Sequence, residues 1–145
     1  MYDRLTALGL DEELQLAGLT HAVYSTDGFA VALLDVADRI ELRELVGARA
    51  EQIVYCYAGC DRGRTWRALG QTRIVWSRFN GESESPTPAE LRAFVDLSIV
   101  NELDVVEQDP AIAEKYGPYF RTTFDGWAEL ASPAVIADAR KVLAF

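Results

Sequence analysis

The alternation of apolar and polar positions reads as helical over almost the whole chain, with recognisable end signals. Tyr2 to Leu8 forms an opening turn or two, closed by Gly9 as a helix-ending residue. Asp11 can cap a second helix, for which Leu16, Leu19 and Val23 supply an apolar stripe of period near 3.6 and Ser25-Thr26-Asp27-Gly28 the end. Asp38 and Glu41 have the spacing of a capping box ahead of a third helix, Arg39 to Val46, which Gly47 terminates; ARAEQIVYCYAGC follows as a fourth.

Beyond Cys60 the periodicity weakens. Asp61 to Gly70 reads as an arginine-rich loop, Arg73 to Phe79 as a short strand or extended segment, and NGESESP as a loop. Thr87-Pro88-Ala89-Glu90 then offers a cap, a proline at the first helical position and an acid at the third. The helix it starts should run to about Glu107 and bury Leu91, Phe94, Val95, Val100, Leu103 and Val106. Asp109-Pro110 and Ser132-Pro133 repeat the cap-plus-proline logic for two shorter helices, the first expected to end at Gly117. The expectation is an all-α, single compact helical domain over residues 1–145, with an irregular or short extended segment near 71–80.

Composition narrows the function. A chain of 145 residues, half of them apolar, can bury a core without a metal or disulfide staple, and no cofactor is expected. The acidic N-terminal stretch lacks the basic, then apolar, character of a signal peptide, so a soluble, cytoplasmic protein is expected. Cys56 and Cys60, four apart on one helix, suit neither a disulfide framework nor a zinc knuckle and are read as reduced, inert core thiols.

The net charge of −9 argues against general binding to nucleic acid or anionic membrane, since both need basic surface to replace counterions. Charge is uneven, however: residues 1–60 carry −6, residues 61–80 carry +4 and residues 81–145 carry −7. The basic island, Arg62, Arg64, Arg67, Arg73 and Arg78, can offer guanidinium forks to a phosphate or carboxylate, or lie solvated against the abundant acids.

The only histidine, His21, stands in LAGLTHAVYSTDGF, with Leu14, Ala17 and Gly18 on its helical face and Tyr24 almost one turn on. Such a residue suits a hydrogen-bonded core group; an imidazole titrating near neutrality also suits a general base or a ligand acceptor. Arg39, Glu51 and Asp61-Arg62, on or after consecutive helices, can pair as a buried network that fixes packing. Trp66, Trp76, Phe79, Tyr116 and the run Tyr119 to Trp127 supply aromatics for a core, a pocket wall or a dimer patch. No phosphate-binding glycine loop, nucleophile elbow or zinc-protease motif is present.

LAGLTHAVYSTDGF, followed by ELRELVGARAEQIVYCYAGCDR and later by LSIVNELDV, resembles a domain family of unknown function found in bacteria, plants and algae. Its pattern is AGL-x-H-S-x-Y-G-T, then R-x-x-V-R-x-L-I-G-x-x-A-E leading to L-V-Y and an acidic-arginine pair, then A-N on a late helix. The resemblance covers residues 1–107 and leaves 108–145 as additional C-terminal helices. That family is similar in organisation to HD-domain phosphohydrolases, which hold one or two metals with a histidine, a His-Asp pair and a distant aspartate on separate helices. The resemblance puts His21 at the histidine of the pair, Ala22 at its aspartate and Asn101 near the closing aspartate, with no counterpart to the first histidine.

One matching ligand of four implies an HD-like domain without a working metal centre. It would bind a small anionic molecule or a protein partner around His21, Tyr24, Arg39, Glu51, Tyr55, Arg62 and Asn101. The alternatives are a metal-dependent phosphohydrolase acting on a phosphorylated small molecule or nucleotide, and a helical interaction module, including a homodimer.

Overall fold

The computed structural model describes residues 1–145 and contains nine α-helices and one two-stranded hairpin, with 66% of the chain helical. The helices are α1 (Tyr2–Ala7), α2 (Glu12–Thr20), α3 (Arg39–Val46), α4 (Ala48–Gly59), α5 (Arg62–Thr65), α6 (Leu69–Thr72), α7 (Pro88–Gln108), α8 (Pro110–Gly126) and α9 (Pro133–Leu143). Strands β1 (Val75–Trp76) and β2 (Ser83–Glu84) pair antiparallel between α6 and α7. The fold is a compact helical domain, as the hydrophobic periodicity predicts. No helix is long and apolar enough to cross a membrane.

The longest helix organises the rest. Thr87 accepts from the Glu90 amide while the Glu90 side chain accepts from the Thr87 amide, so the predicted capping box forms and Pro88 occupies the first turn of α7. All six predicted apolar residues of α7 are buried; so are Leu97, Ile99 and even Asp96, Ser98 and Glu102. A helix buried this far round needs neighbours on several sides, and α7 packs against α2, α4, α8 and α9. One hydrophobic cluster runs from Leu5 to Leu143, so the helices after residue 107 belong to the same core as those before it.

The polar residues of this core are paired. Asp96 is 1% exposed and accepts from the Ser132 amide at 2.8 Å and the Ser132 hydroxyl at 2.6 Å, which fixes the start of α9 against α7. Ser132 therefore does not cap α9 with its own side chain, as Ser-Pro suggests; its hydroxyl is spent on Asp96. At the other end, Arg4 bonds Asp138 at 2.8 Å and Asp104 at 3.1 Å and also pairs with Glu107, tying α1 to α7 and α9.

Several local expectations give way to tertiary packing. In α2 the buried face is Leu14, Ala17 and Gly18, whereas Leu19 is 64% exposed. A Cβ at Gly18 would come within 2.3 Å of the Leu5 side chain, so α1 sits where only a small residue leaves room; Leu14 joins this face, Leu16 is half-buried and Leu19 faces outward. This helix stops at Thr20, before the predicted STDG signal, with Ser25 at φ +66° in the turns that follow. Asp38 makes no side-chain cap; Asp35 instead caps a 3-10 turn, Val36–Asp38, that leads directly into α3.

Residues 61–70 are not a loop: Asp61 accepts from the Arg64 amide and starts α5, and α6 follows. Part of NGESESP pairs with the preceding extended segment as β2. Helix α8 continues through Gly117-Pro118 to Gly126, because Phe120 and Phe124 continue its buried face. Pro118 itself is exposed, so its ring meets solvent there.

Candidate functional site

The end of α2 begins the site. His21 is the residue after α2, in αR conformation, and its ring Nδ1 lies 2.8 Å from the Gly18 carbonyl oxygen. A carbonyl only accepts, so the proton sits on Nδ1, and the Nε2 lone pair has no protein donor. Burial holds the His21 pKa below its ordinary value; the Gly18 carbonyl opposes that, while the positive charge of Arg62 adds to it. The imidazole is thus a neutral acceptor at pH 7. It meets Tyr57 of α4 edge to face, with ring centroids 5.7 Å apart.

The turns after α2 bring Asp27 to the start of α5, where its carboxylate accepts from the Arg62 amide at 2.8 Å. The Arg62 guanidinium donates to Glu102 of α7 at 3.0 Å and to the Tyr57 hydroxyl oxygen at 2.9 Å; Asn101 donates to the same Glu102 oxygen at 3.2 Å. Between these groups lies a groove of about 360 Å³ lined by His21, Ala22, Asp27, Tyr57, Arg62 and Asn101, among others. Two of five guanidinium N–H groups are committed, which leaves Arg62 with donors to spare. Asp27 and Glu102 against Arg62 give the groove a formal charge of about −1 with His21 neutral.

Three of the seven sequence-predicted residues, His21, Arg62 and Asn101, come together here. The other four do not. Tyr24 turns away from His21 and donates to Glu51 at 2.9 Å, and Arg39 of α3 bonds both Glu51 oxygens, at 2.7 and 2.8 Å. Arg39 also lies over the Tyr55 ring, its guanidinium carbon 3.6 Å from the centroid. Glu51 has 0% exposure, and α3, α4 and the residues after α2 meet around it. Burial alone would raise its pKa; hydrogen bonds from Arg39 and Tyr24 outweigh that and hold it below the usual carboxylate value. Tyr24, Arg39, Glu51 and Tyr55 therefore form a packing lock, not a wall of the His21 groove. Of the network expected around Arg39 and Glu51, the Asp61-Arg62 pair is the part that lies elsewhere, at α5.

Tyr57, Asp27 and Glu102 are groove residues that sequence reasoning missed. Glu102 left a trace, since it is an acid inside the apolar run of α7. Asp27 left none, because it reads as a turn residue and its partner is 35 positions away. The arginine island does not converge on one ligand. Arg64 lies over Trp76, with 3.6 Å between guanidinium carbon and ring centroid, and Arg78 bonds the Ala58 carbonyl and the Ser25 hydroxyl. Arg73 ends α6 in left-handed conformation on the surface.

Burial pushes the Cys56 thiol up to about 12 and the Cys60 thiol to about 11, which makes both poor nucleophiles at neutral pH. No three His, Cys, Asp or Glu side chains are grouped so as to hold a metal ion.

Two comparisons, with proteins of curated function and with solved structures, give no match to the chain. Residues 1–62, which span α1 to α4 and end at Arg62 of the groove, are similar to a family described as a domain of unknown function, DUF6817.

Proposed function

We propose that residues 1–145 form one HD-like helical domain without a working metal centre, which binds a small anionic molecule in the groove of His21, Arg62 and Asn101. The observation that carries this reading is the state of His21. Its Nδ1 proton is spent on Gly18, its Nε2 has no protein donor, and the ring lines a groove that Arg62 also lines with unspent donors. A ligand with one negative charge and one donating hydroxyl or N–H satisfies both groups. With Asp27 and Glu102 nearby, a monoanion suits the groove better than a doubly charged phosphate.

The HD-like part of the proposal rests on placement. His21, Ala22 and Asn101, the positions that the resemblance assigns to metal ligands, line the same groove from two separated helical regions. The donor set does not fit a divalent metal, since Ala22 has no ligand atom and the Asn101 amide is a weaker ligand than a carboxylate. A cytoplasmic setting belongs to the same proposal and suits two free thiols.

Thermal unfolding with and without glycolate, acetate, inorganic phosphate and adenosine monophosphate tests this reading. Glycolate should raise the melting temperature more than acetate does, and the rise should vanish in an Arg62→Gln/Glu102→Gln double variant. The double change removes the cation without leaving Glu102 buried and unpaired. No rise with any of the four compounds would refute the proposal.

A second reading, docking to a protein partner or a second copy, is favoured by a separate observation. Phe29, Val31 and Leu33 after the groove, with Ile40 and Leu45 on α3, are more than half exposed, Leu33 to 80%. Sedimentation velocity across a range of concentrations tests the homodimer form of this reading.

A further inference from the structure

A second cavity of about 540 Å³ lies beyond Arg62, between α5 and α8. Its walls include Ile112, Tyr116, Tyr119 and Phe120 of α8, with Trp66 and Arg67 on the opposite side. It adjoins the His21 groove, and the Arg62–Glu102 pair, neutral as a pair, is a wall common to both.

Three observations bear on what this cavity takes. Arg67 is exposed and, like Arg64, Arg73, Arg78, Arg92 and Arg121, pairs with no carboxylate, so its guanidinium is free to meet a ligand anion. Its guanidinium carbon stands 5.9 Å from the Tyr119 ring centroid, over the aromatic wall. Trp66 is 3% exposed, and its indole N–H is the one buried side-chain polar atom in the molecule without a hydrogen-bond partner. A buried donor left without an acceptor is costly, so native structures seldom retain one without a use. Tyr116, by contrast, is 41% exposed, and Lys115 Nζ stands 4.9 Å from its ring centroid.

We infer that this cavity is a binding site for a flat aromatic acid. The ring of the ligand lies against Tyr116, Tyr119, Phe120 and Ile112, and its anionic group meets Arg67. An acceptor atom of the ligand takes the Trp66 indole N–H after a small shift of the ring that opens the donor to the cavity. The volume suits a drug-sized molecule, and mixed apolar walls with a few placed polar groups are what such sites share. Arg62 and Glu102 wall both cavities, but none of the polar contacts of this inference uses His21 or Asn101, so the two readings are tested by different side chains.

The test is an NMR titration of the whole chain with 2-naphthoate, its neutral isostere 2-naphthamide, and acetate, reading the three tryptophan indole N–H signals. Loss of one signal in Trp66→Phe assigns Trp66. Naphthoate should bind saturably and move the Trp66 signal downfield, naphthamide should bind about tenfold more weakly, and acetate should leave the signal in place. Arg67→Gln, a change at an exposed side chain, should reduce naphthoate binding to the naphthamide level, and His21→Gln should leave naphthoate binding unchanged. An unmoved Trp66 signal, equal affinity of Arg67→Gln for naphthoate, or a shift of the His21 ring in place of Trp66 would each overturn the inference.

Discussion

Arg39 Nε and Nη2 hold the two oxygens of Glu51 at 2.7 and 2.8 Å, a two-pronged grip on a carboxylate with no solvent exposure. Charges are placed in a core at a desolvation cost, and the fork geometry together with the Tyr24 hydroxyl offsets it by satisfying the carboxylate fully. Removing the fork strands a buried anion. Arg39→Ala should destabilise the protein by about 3 kcal/mol in urea unfolding, and Arg39→Lys, which keeps charge without the fork, by less. An Arg39→Ala variant within about 0.5 kcal/mol of the parent would show that Glu51 is not held as a buried ion.

The same carboxylate sets a direction for acid unfolding. Its folded pKa is below the ordinary value of 4.5, so between the two values the unfolded chain binds more protons. The stabilisation is complete above the ordinary value and is lost as pH falls through the folded one. Glu51→Gln should lower stability at pH 7 and flatten the dependence of stability on pH in the acid range.

Asp96 has the opposite sign. Burial raises its folded pKa above 3.8 and outweighs the bonds from Ser132, so between the ordinary and the folded values the folded state binds more protons. Stability therefore falls as pH rises across that window. Asp96→Asn keeps one acceptor for Ser132 and should remove this downward slope; a slope unchanged in the variant would assign it to another group.

His21 is testable through its own pKa, which lies below 6.5 in the folded chain. The unfolded chain binds more protons between the two values, so His21 favours folding at neutral pH and this contribution is lost as pH falls below 6.5. His21→Gln should keep much of the bond to Gly18 and abolish this slope. His21→Leu leaves that carbonyl without its side-chain donor and should cost about 1 to 3 kcal/mol. Equal stability of the two variants would remove the Gly18 bond from the account.

What was legible in the sequence is what local chemistry decides. Thr87-Pro88-Ala89-Glu90 announces α7 because cap, proline and returning acid act within one turn. Gly47, at φ +92°, separates α3 from α4 as a glycine in that conformation should. The stripe Leu16, Leu19 and Val23 missed the buried face of α2 for a tertiary reason: Leu5 packs over Gly18, so the core side is Leu14, Ala17 and Gly18, the face already visible beside His21. Likewise Gly117-Pro118 has the form of a stop, but Phe120 and Phe124 keep α8 on the core. The site was half legible for a similar reason. His21, Arg62 and Asn101 stand out by residue type, whereas Tyr24 leaves His21 for Glu51 because a buried carboxylate needs its hydroxyl, and the Asp27 contact to Arg62 exists only once the chain is folded.

As the only histidine, His21 gives an imidazole signal free of overlap, and its ring nitrogens report directly on whether the groove binds a small anion. A long-range nitrogen–proton spectrum of the whole protein, recorded during a glycolate titration at pH 7, makes that measurement. The free protein should show a neutral ring protonated on Nδ1. Glycolate should shift Nε2 saturably as the hydroxyl donates to it, and the Arg62→Gln/Glu102→Gln variant should show the same starting ring without the shift. An Nε2 signal indifferent to glycolate, or one that shifts equally in the double variant, would contradict the His21–Arg62 groove as the binding site.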